Sequence, residues 1–133
     1  MTSKVTYLGN LRTENLHLKS GNSYHTDAPT DNNGKGEAFS PTDTIATGLA
    51  NCMLTVMGIK AGKMDVDMSG TSAEVTKIMT SDPRRISKIE AIISLPFKAD
   101  EKTRKILEHT AKTCPVIYSL HPDIEKVVTF NWS

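Results

Sequence analysis

A chain of 133 residues with 38% apolar and 23% charged side chains has room for one domain with a real core, and lies outside the disordered and membrane-embedded ranges. Its 16 basic and 15 acidic side chains are mixed along the chain and leave a formal charge of +1; with 5% aromatic residues and no basic stripe, nucleic acid is excluded as an expected partner. No signal-like N-terminal stretch and no apolar run of ~18 residues is present, so the expectation is a cytoplasmic protein with no membrane partner, a single domain over 1–133.

In chain order, residues 4–28 read as short strands: Val5 and Tyr7 alternate, then Leu16 and Leu18, with turn signals at Gly9-Asn10 and Ser20-Gly21-Asn22. The run 27–37, DAPTDNNGKGE, is a surface loop by composition and a candidate flap. A helix follows. Ser40 is placed to cap it, Pro41 suits its first turn, and Asp43 complements its N-terminal dipole. Ile45, Leu49, Cys52, Met53 and Val56 then repeat at helical spacing up to a stop at Gly62, which places Cys52 on an apolar face.

Residues 64–79 and 85–97 alternate apolar and polar side chains and predict two long strands joined at Ser81-Asp82-Pro83. Asp100 opens a second helix on which Ile106, Leu107, Thr110, Ala111 and Cys114 share a face, with Pro115 forcing a kink or a fresh short helix. Val127 to Trp132 closes the chain as a strand.

The two cysteines are the chemically pointed feature. A single pair cannot form a four-cysteine zinc site, and His17, His25, His109 and His121 show no ligand spacing beside them, so neither a metal nor a cofactor is expected. Two readings stay open. Each thiol can be a small core hydrophobe, the commoner fate of a buried free cysteine. Alternatively the two helices pack together and bring the sulfurs within reach of one another. The sequence Thr113-Cys114-Pro115 places that thiol at a helix start, where free N–H groups favour a thiolate. Such a pair supports a defined reaction: one thiolate takes an oxygen from a peroxide to become a sulfenic acid, the other thiol condenses with it to a disulfide, and an external dithiol resets the pair.

The run GEAFSPTDTIATGLANCMLTVMGIKA (36–61), with its Ser-Pro helix start about twelve residues before the cysteine, and the run TCPVIYSLHPDIEKVVTFNW (113–132) resemble the OsmC/Ohr family of osmotically inducible and organic hydroperoxide resistance proteins. The resemblance covers nearly the whole chain in element order. It implies an α+β fold, with antiparallel sheets around two central helices that carry the cysteines, in an intertwined homodimer. It also implies a cysteine-based peroxidase for organic hydroperoxides, with Cys52 peroxidatic, Cys114 resolving, and an external dithiol reductant.

The chain departs from the family pattern at the site. Where members carry a glutamate after the proline, this sequence has Thr42, with Asp43 next to it; the loop from 22 to 39 holds Lys35 but no arginine. Arg12, the sole arginine before Cys52, is then the cation expected to attend the thiolate. The departure leaves a second function in view, an OsmC-like redox sensor or small-molecule binding protein without efficient peroxidase turnover.

Overall fold

Three consecutive residues with positive φ, Gly9 (89°), Asn10 (54°) and Leu11 (63°), turn the chain between its first two strands. Strands β1 (Ser3–Gly9), β2 (Arg12–His17) and β3 (Ser23–Asp27) form an antiparallel sheet in that order. The structure, a computed structural model, describes residues 1–133 as two compact units, Met1–Ile45 and Ala46–Ser133.

The period of two sorts the side chains of the first unit. One face pairs Arg12 with Asp27 and Glu14 with His25; the other carries Val5, Tyr7, Thr13, Thr26 and Tyr24. Its only buried residues are Thr26, Asp27 and Ser40, so this unit has no apolar core of its own. The loop after β3 is ordered by backbone hydrogen bonds. Ala28 donates to the Leu11 carbonyl (3.1 Å), Gly36 donates to the Ala28 carbonyl (3.2 Å), and Asn32 and Gly34 share the Pro29 carbonyl (2.9 Å each). Gly34 is required by close approach, since a Cβ there would lie 1.7 Å from the Ala28 carbonyl oxygen.

Helix α1 (Pro41–Lys63) starts as its sequence predicts. The Ser40 hydroxyl accepts from the Asp43 N–H (3.1 Å), and the Asp43 carboxylate accepts from the Ser40 N–H (2.9 Å), a capping box closed by aspartate. Its buried stripe is Ala46, Leu49, Ala50, Met53, Met57 and Ala61. Ile45, expected on that stripe, is exposed, and Cys52 sits half-buried at the margin rather than at the centre. By length and composition (23 residues, mean hydropathy 1.2) α1 is apolar enough to cross a bilayer, which the sequence reading did not anticipate; its buried stripe is occupied by the core of the second unit.

The alternation over residues 64–71 does not make a strand. Val66 donates back to the Ala61 carbonyl (2.9 Å) to finish the helix, Asp65 adopts φ 55°, and Asp67 accepts from the Ser69 N–H (2.9 Å) in a tight turn. Val66 and Met68 still pack on the core, which is the origin of the misleading pattern. Strand β4 (Ser72–Thr80) then pairs antiparallel with β5 (Arg85–Leu95), and β5 pairs with β6 (Glu125–Trp132).

The β5–β6 pairing is parallel, with Ala91 opposite Val128 and Leu95 opposite Trp132, so the second sheet is mixed rather than antiparallel throughout. Parallel neighbours need a crossover, and α2 (Glu101–Lys112) with α3 (Pro115–Ser119) supplies it. Asp100 caps α2 by accepting from Thr103 N–H (2.8 Å). The core joins Ile89, Ile93 and Leu95 of β5 to Leu49, Met53 and Met57 of α1 and to Leu107, Ala111 and Cys114 of the crossover. At the C-terminal edge Trp132 donates to Glu108 (3.0 Å), lies under the Arg104 guanidinium (5.3 Å) and meets Phe97 edge-on (5.7 Å).

Candidate redox site

In the second unit the chain brings Cys52 and Cys114 together. Both are free thiols. Cys52 projects from the middle of α1, thirteen or so residues past its cap, and is half-buried. Cys114 does not ride on the apolar face of α2, where its spacing had placed it. The helix ends at Lys112, Thr113 closes it by donating to the Thr110 carbonyl, and Cys114 takes an extended conformation (φ −75°, ψ 154°) as the N-cap of α3. Pro115 is the cause, because its ring disfavours helical backbone at the preceding residue and suits the first turn of a new helix. The thiol still enters the core, with 0% of its surface exposed.

The electrostatics of Cys114 also differ from the helix-start expectation. Burial pushes its thiol up from the ordinary range, because a thiolate there would lose its hydration. The N–H groups of Ile117 and Val116 act in the opposite direction without closing a capping hydrogen bond. The Cys52 side chain lies within hydrogen-bonding reach and adds to the rise, both as a partner for the S–H and as a competing charge. Of the two sulfurs, the accessible one is the better place for a negative charge.

Arg12 belongs to the first unit, and there its partner is settled. Its Nε donates to Asp27 Oδ1 (2.7 Å) and its Nη2 to Asp27 Oδ2 (2.8 Å), the bidentate geometry of a guanidinium on a carboxylate. The hydrogen bond to Asp27 raises the Arg12 pKa further, and the same bond to Arg12, helped by the Glu37 N–H, holds the Asp27 carboxyl below its ordinary value against the cost of its burial. Beside the pair is a pocket of about 200 Å³ bounded by the β1–β2 turn (Leu8, Gly9, Asn10) and by Lys35 and Glu37.

Asp27 is the residue that sequence reasoning missed. Attention to the family glutamate led to Thr42 and Asp43, yet the carboxylate that grips Arg12 comes from the end of β3. A signal was present: once β2 and β3 are set antiparallel, Arg12 and Glu14 fall opposite Asp27 and His25, two complementary pairs in a row. No group of three or more His, Cys, Asp or Glu side chains is arranged to hold a metal ion.

Comparison with known proteins agrees with this architecture. A candidate osmotic stress induced and detoxification response protein from Psychrobacter arcticus 273-4 is 57% identical, with a TM-score of 0.96 over 98% of this chain and 96% of that one. Two distant structures share the fold. An OsmC-like protein from Mycoplasma pneumoniae is 14% identical (TM-score 0.81, 98% and 94% covered). An organic hydroperoxide resistance protein OsmC from Legionella pneumophila is 16% identical (TM-score 0.71, 98% and 97% covered). No curated protein matches the chain. The family model described as OsmC-like protein matches residues 34–128, a span that includes both cysteines, and the chain belongs to the OsmC-like family.

Proposed function

We propose that the protein is a thiol peroxidase that reduces organic hydroperoxides, with Cys52 as the peroxidatic and Cys114 as the resolving thiol. The observation that carries the reading is the contact between a half-exposed and a wholly buried cysteine on separate elements. An attacking sulfur has to be reached by substrate and a resolving one does not. The core around them, with Leu49, Met53 and Met57 on α1, is apolar, as an organic substrate requires.

Arg12 is the proposed cation for the Cys52 thiolate, and Asp27 its positioning partner. The support is the bidentate clamp, which fixes the guanidinium where a surface arginine would be mobile. A homodimer is part of the same reading. A sheet that leaves Val5 (59%), Tyr7 (64%) and Tyr24 (52%) exposed, in a unit without a core, has apolar surface for a second copy. The reductant is an external dithiol, and the cytoplasm, where thiols are kept reduced, is the proposed compartment.

The test is consumption of cumene hydroperoxide with dithiothreitol as reductant. Turnover that disappears in Cys52→Ser, and a Cys52–Cys114 disulfide by mass spectrometry after one equivalent of peroxide, are expected. Wild-type consumption no faster than that of Cys52→Ser would reject the peroxidase. A disulfide formed without turnover would instead identify a redox sensor, and no disulfide at all a small-molecule binder.

A further inference from the structure

We infer that Cys114 acts on Cys52 before it resolves it, as a buried S–H donor whose hydrogen bond holds the Cys52 sulfur in its thiolate form. The inference rests on the peroxidase reading for its place in a reaction, but the hydrogen bond itself can be measured without any peroxide.

The argument starts from burial. A dithiol carrying one negative charge can place it on either sulfur. Cys114 is fully enclosed in the apolar cluster with Leu107 and Ala111, where an ion costs several kcal/mol in lost hydration, whereas Cys52 keeps contact with solvent. The proton therefore belongs to Cys114 and the charge to Cys52. A thiol that must stay protonated, with a thiolate as its neighbour, is a hydrogen-bond donor to that thiolate. Packing holds the donor in place: Pro115 fixes the backbone that follows Cys114, and Thr113 closes the helix that precedes it.

The same proton then has a defined fate. The Cys52 thiolate attacks the terminal oxygen of the hydroperoxide; an S–O bond forms, the O–O bond breaks, and the departing alkoxide takes a proton from water to leave as the alcohol. Cys52 is now the sulfenic acid. The Cys114 sulfur attacks it, an S–S bond forms, the S–O bond breaks, and the hydroxide that leaves carries off the Cys114 proton as water. Sulfur is oxidised by two electrons and the hydroperoxide reduced by two. The external dithiol returns two electrons and two protons, and both cysteines regain their starting states.

The experiment measures alkylation of Cys52 by iodoacetamide between pH 5 and 10 in the full chain, followed by peptide mass mapping. Wild type is compared with Cys114→Ser, which keeps a donor, and with Cys114→Ala and Cys114→Val, which remove it, the valine filling the space if the alanine variant does not fold. The expected result is a Cys52 profile displaced to higher pH without the donor, with a roughly tenfold slower reaction at pH 7, while serine stays within about twofold of wild type. Equal profiles for serine and valine would overturn the inference. Because no peroxide is used, a displaced profile in a protein that fails to consume hydroperoxide rejects the peroxidase and retains the donor.

Discussion

Arg12 and Asp27 stand directly opposite one another across the β2–β3 ladder, and their side chains close on each other through two hydrogen bonds of 2.7 and 2.8 Å. The pair links residues 15 positions apart on strands separated by a turn. Its geometry is a property of strand register. Any slip of β3 by one residue would turn Asp27 to the other face and replace it with a neighbour.

Asp27→Asn tests the clamp through pH. The Asp27 pKa is lowered in the folded state by its bond to Arg12, so its contribution is fully present above the ordinary carboxylate pKa of about 4 and is lost as pH falls through the lower folded value. Urea denaturation at a series of pH values should show wild type more stable than Asp27→Asn at pH 7, with the gap closing at the acid end. A gap that stays constant with pH would remove the ion pair from the account.

The two thiols should differ in kinetics as well as in burial. With Ellman's reagent, native protein is expected to show one fast thiol, assigned to Cys52 by its absence in Cys52→Ser, and a second that reacts only on addition of urea. The raised Cys114 pKa has a further consequence with the opposite sign from Asp27. Its stabilisation is complete below the unfolded thiol value near 8.5 and declines as pH rises toward the folded value, at most about 1.4 kcal/mol per pH unit for one proton. Cys114→Ala should flatten that decline in urea titrations between pH 8 and 10.

Ser40→Ala removes the hydroxyl that accepts from the Asp43 N–H at the start of α1 and leaves a buried backbone donor without its cap. A loss of about 1–2 kcal/mol in urea unfolding is expected, and Ser40→Gly should cost only a few tenths. Equal effects for the two variants would show that the cap is not the source.

Trp132→Phe keeps a ring against Phe97 while deleting the N–H that reaches Glu108 and weakening the Arg104 contact. The expected destabilisation is about 1–2 kcal/mol, with hydrogen exchange accelerated over β6 and the C-terminal half of α2. Unchanged exchange in α2 would mean that Trp132 does not tie the strand to the helix.

Local chemistry was the legible part of this chain. Ser40-Pro41 and Asp100 fix the two long helices through caps whose partners lie three residues away, and such short-range bonds leave their mark in sequence. Residues 64–71 misled because Val66 and Met68 are buried for tertiary reasons while Asp65 and Asp67 make a turn; apolar alternation reports burial, not backbone shape. The approach of Cys114 to Cys52 was legible as a helical-phase argument, but the argument had the wrong element, since Pro115 ends the helical phase before the cysteine. Asp27 stayed hidden because a cross-strand partner is named by register, and register depends on where a turn closes.

The parallel pairing of β5 with β6 has a bearing on how the thiols are guarded while the molecule assembles. Cys114 lies inside the crossover, so it is seated only when about thirty residues have been looped out and β6 has docked beside β5, a non-local contact that comes with the loop-closure cost of such topologies. Cys52, by contrast, has its surroundings largely defined by one local helix. An immature chain therefore displays two independent, reagent-accessible thiols, and only the finished topology converts them into partners of unequal acidity. Oxidation at the wrong moment would meet two ordinary cysteines, and the selectivity of the pair is acquired with the last strand.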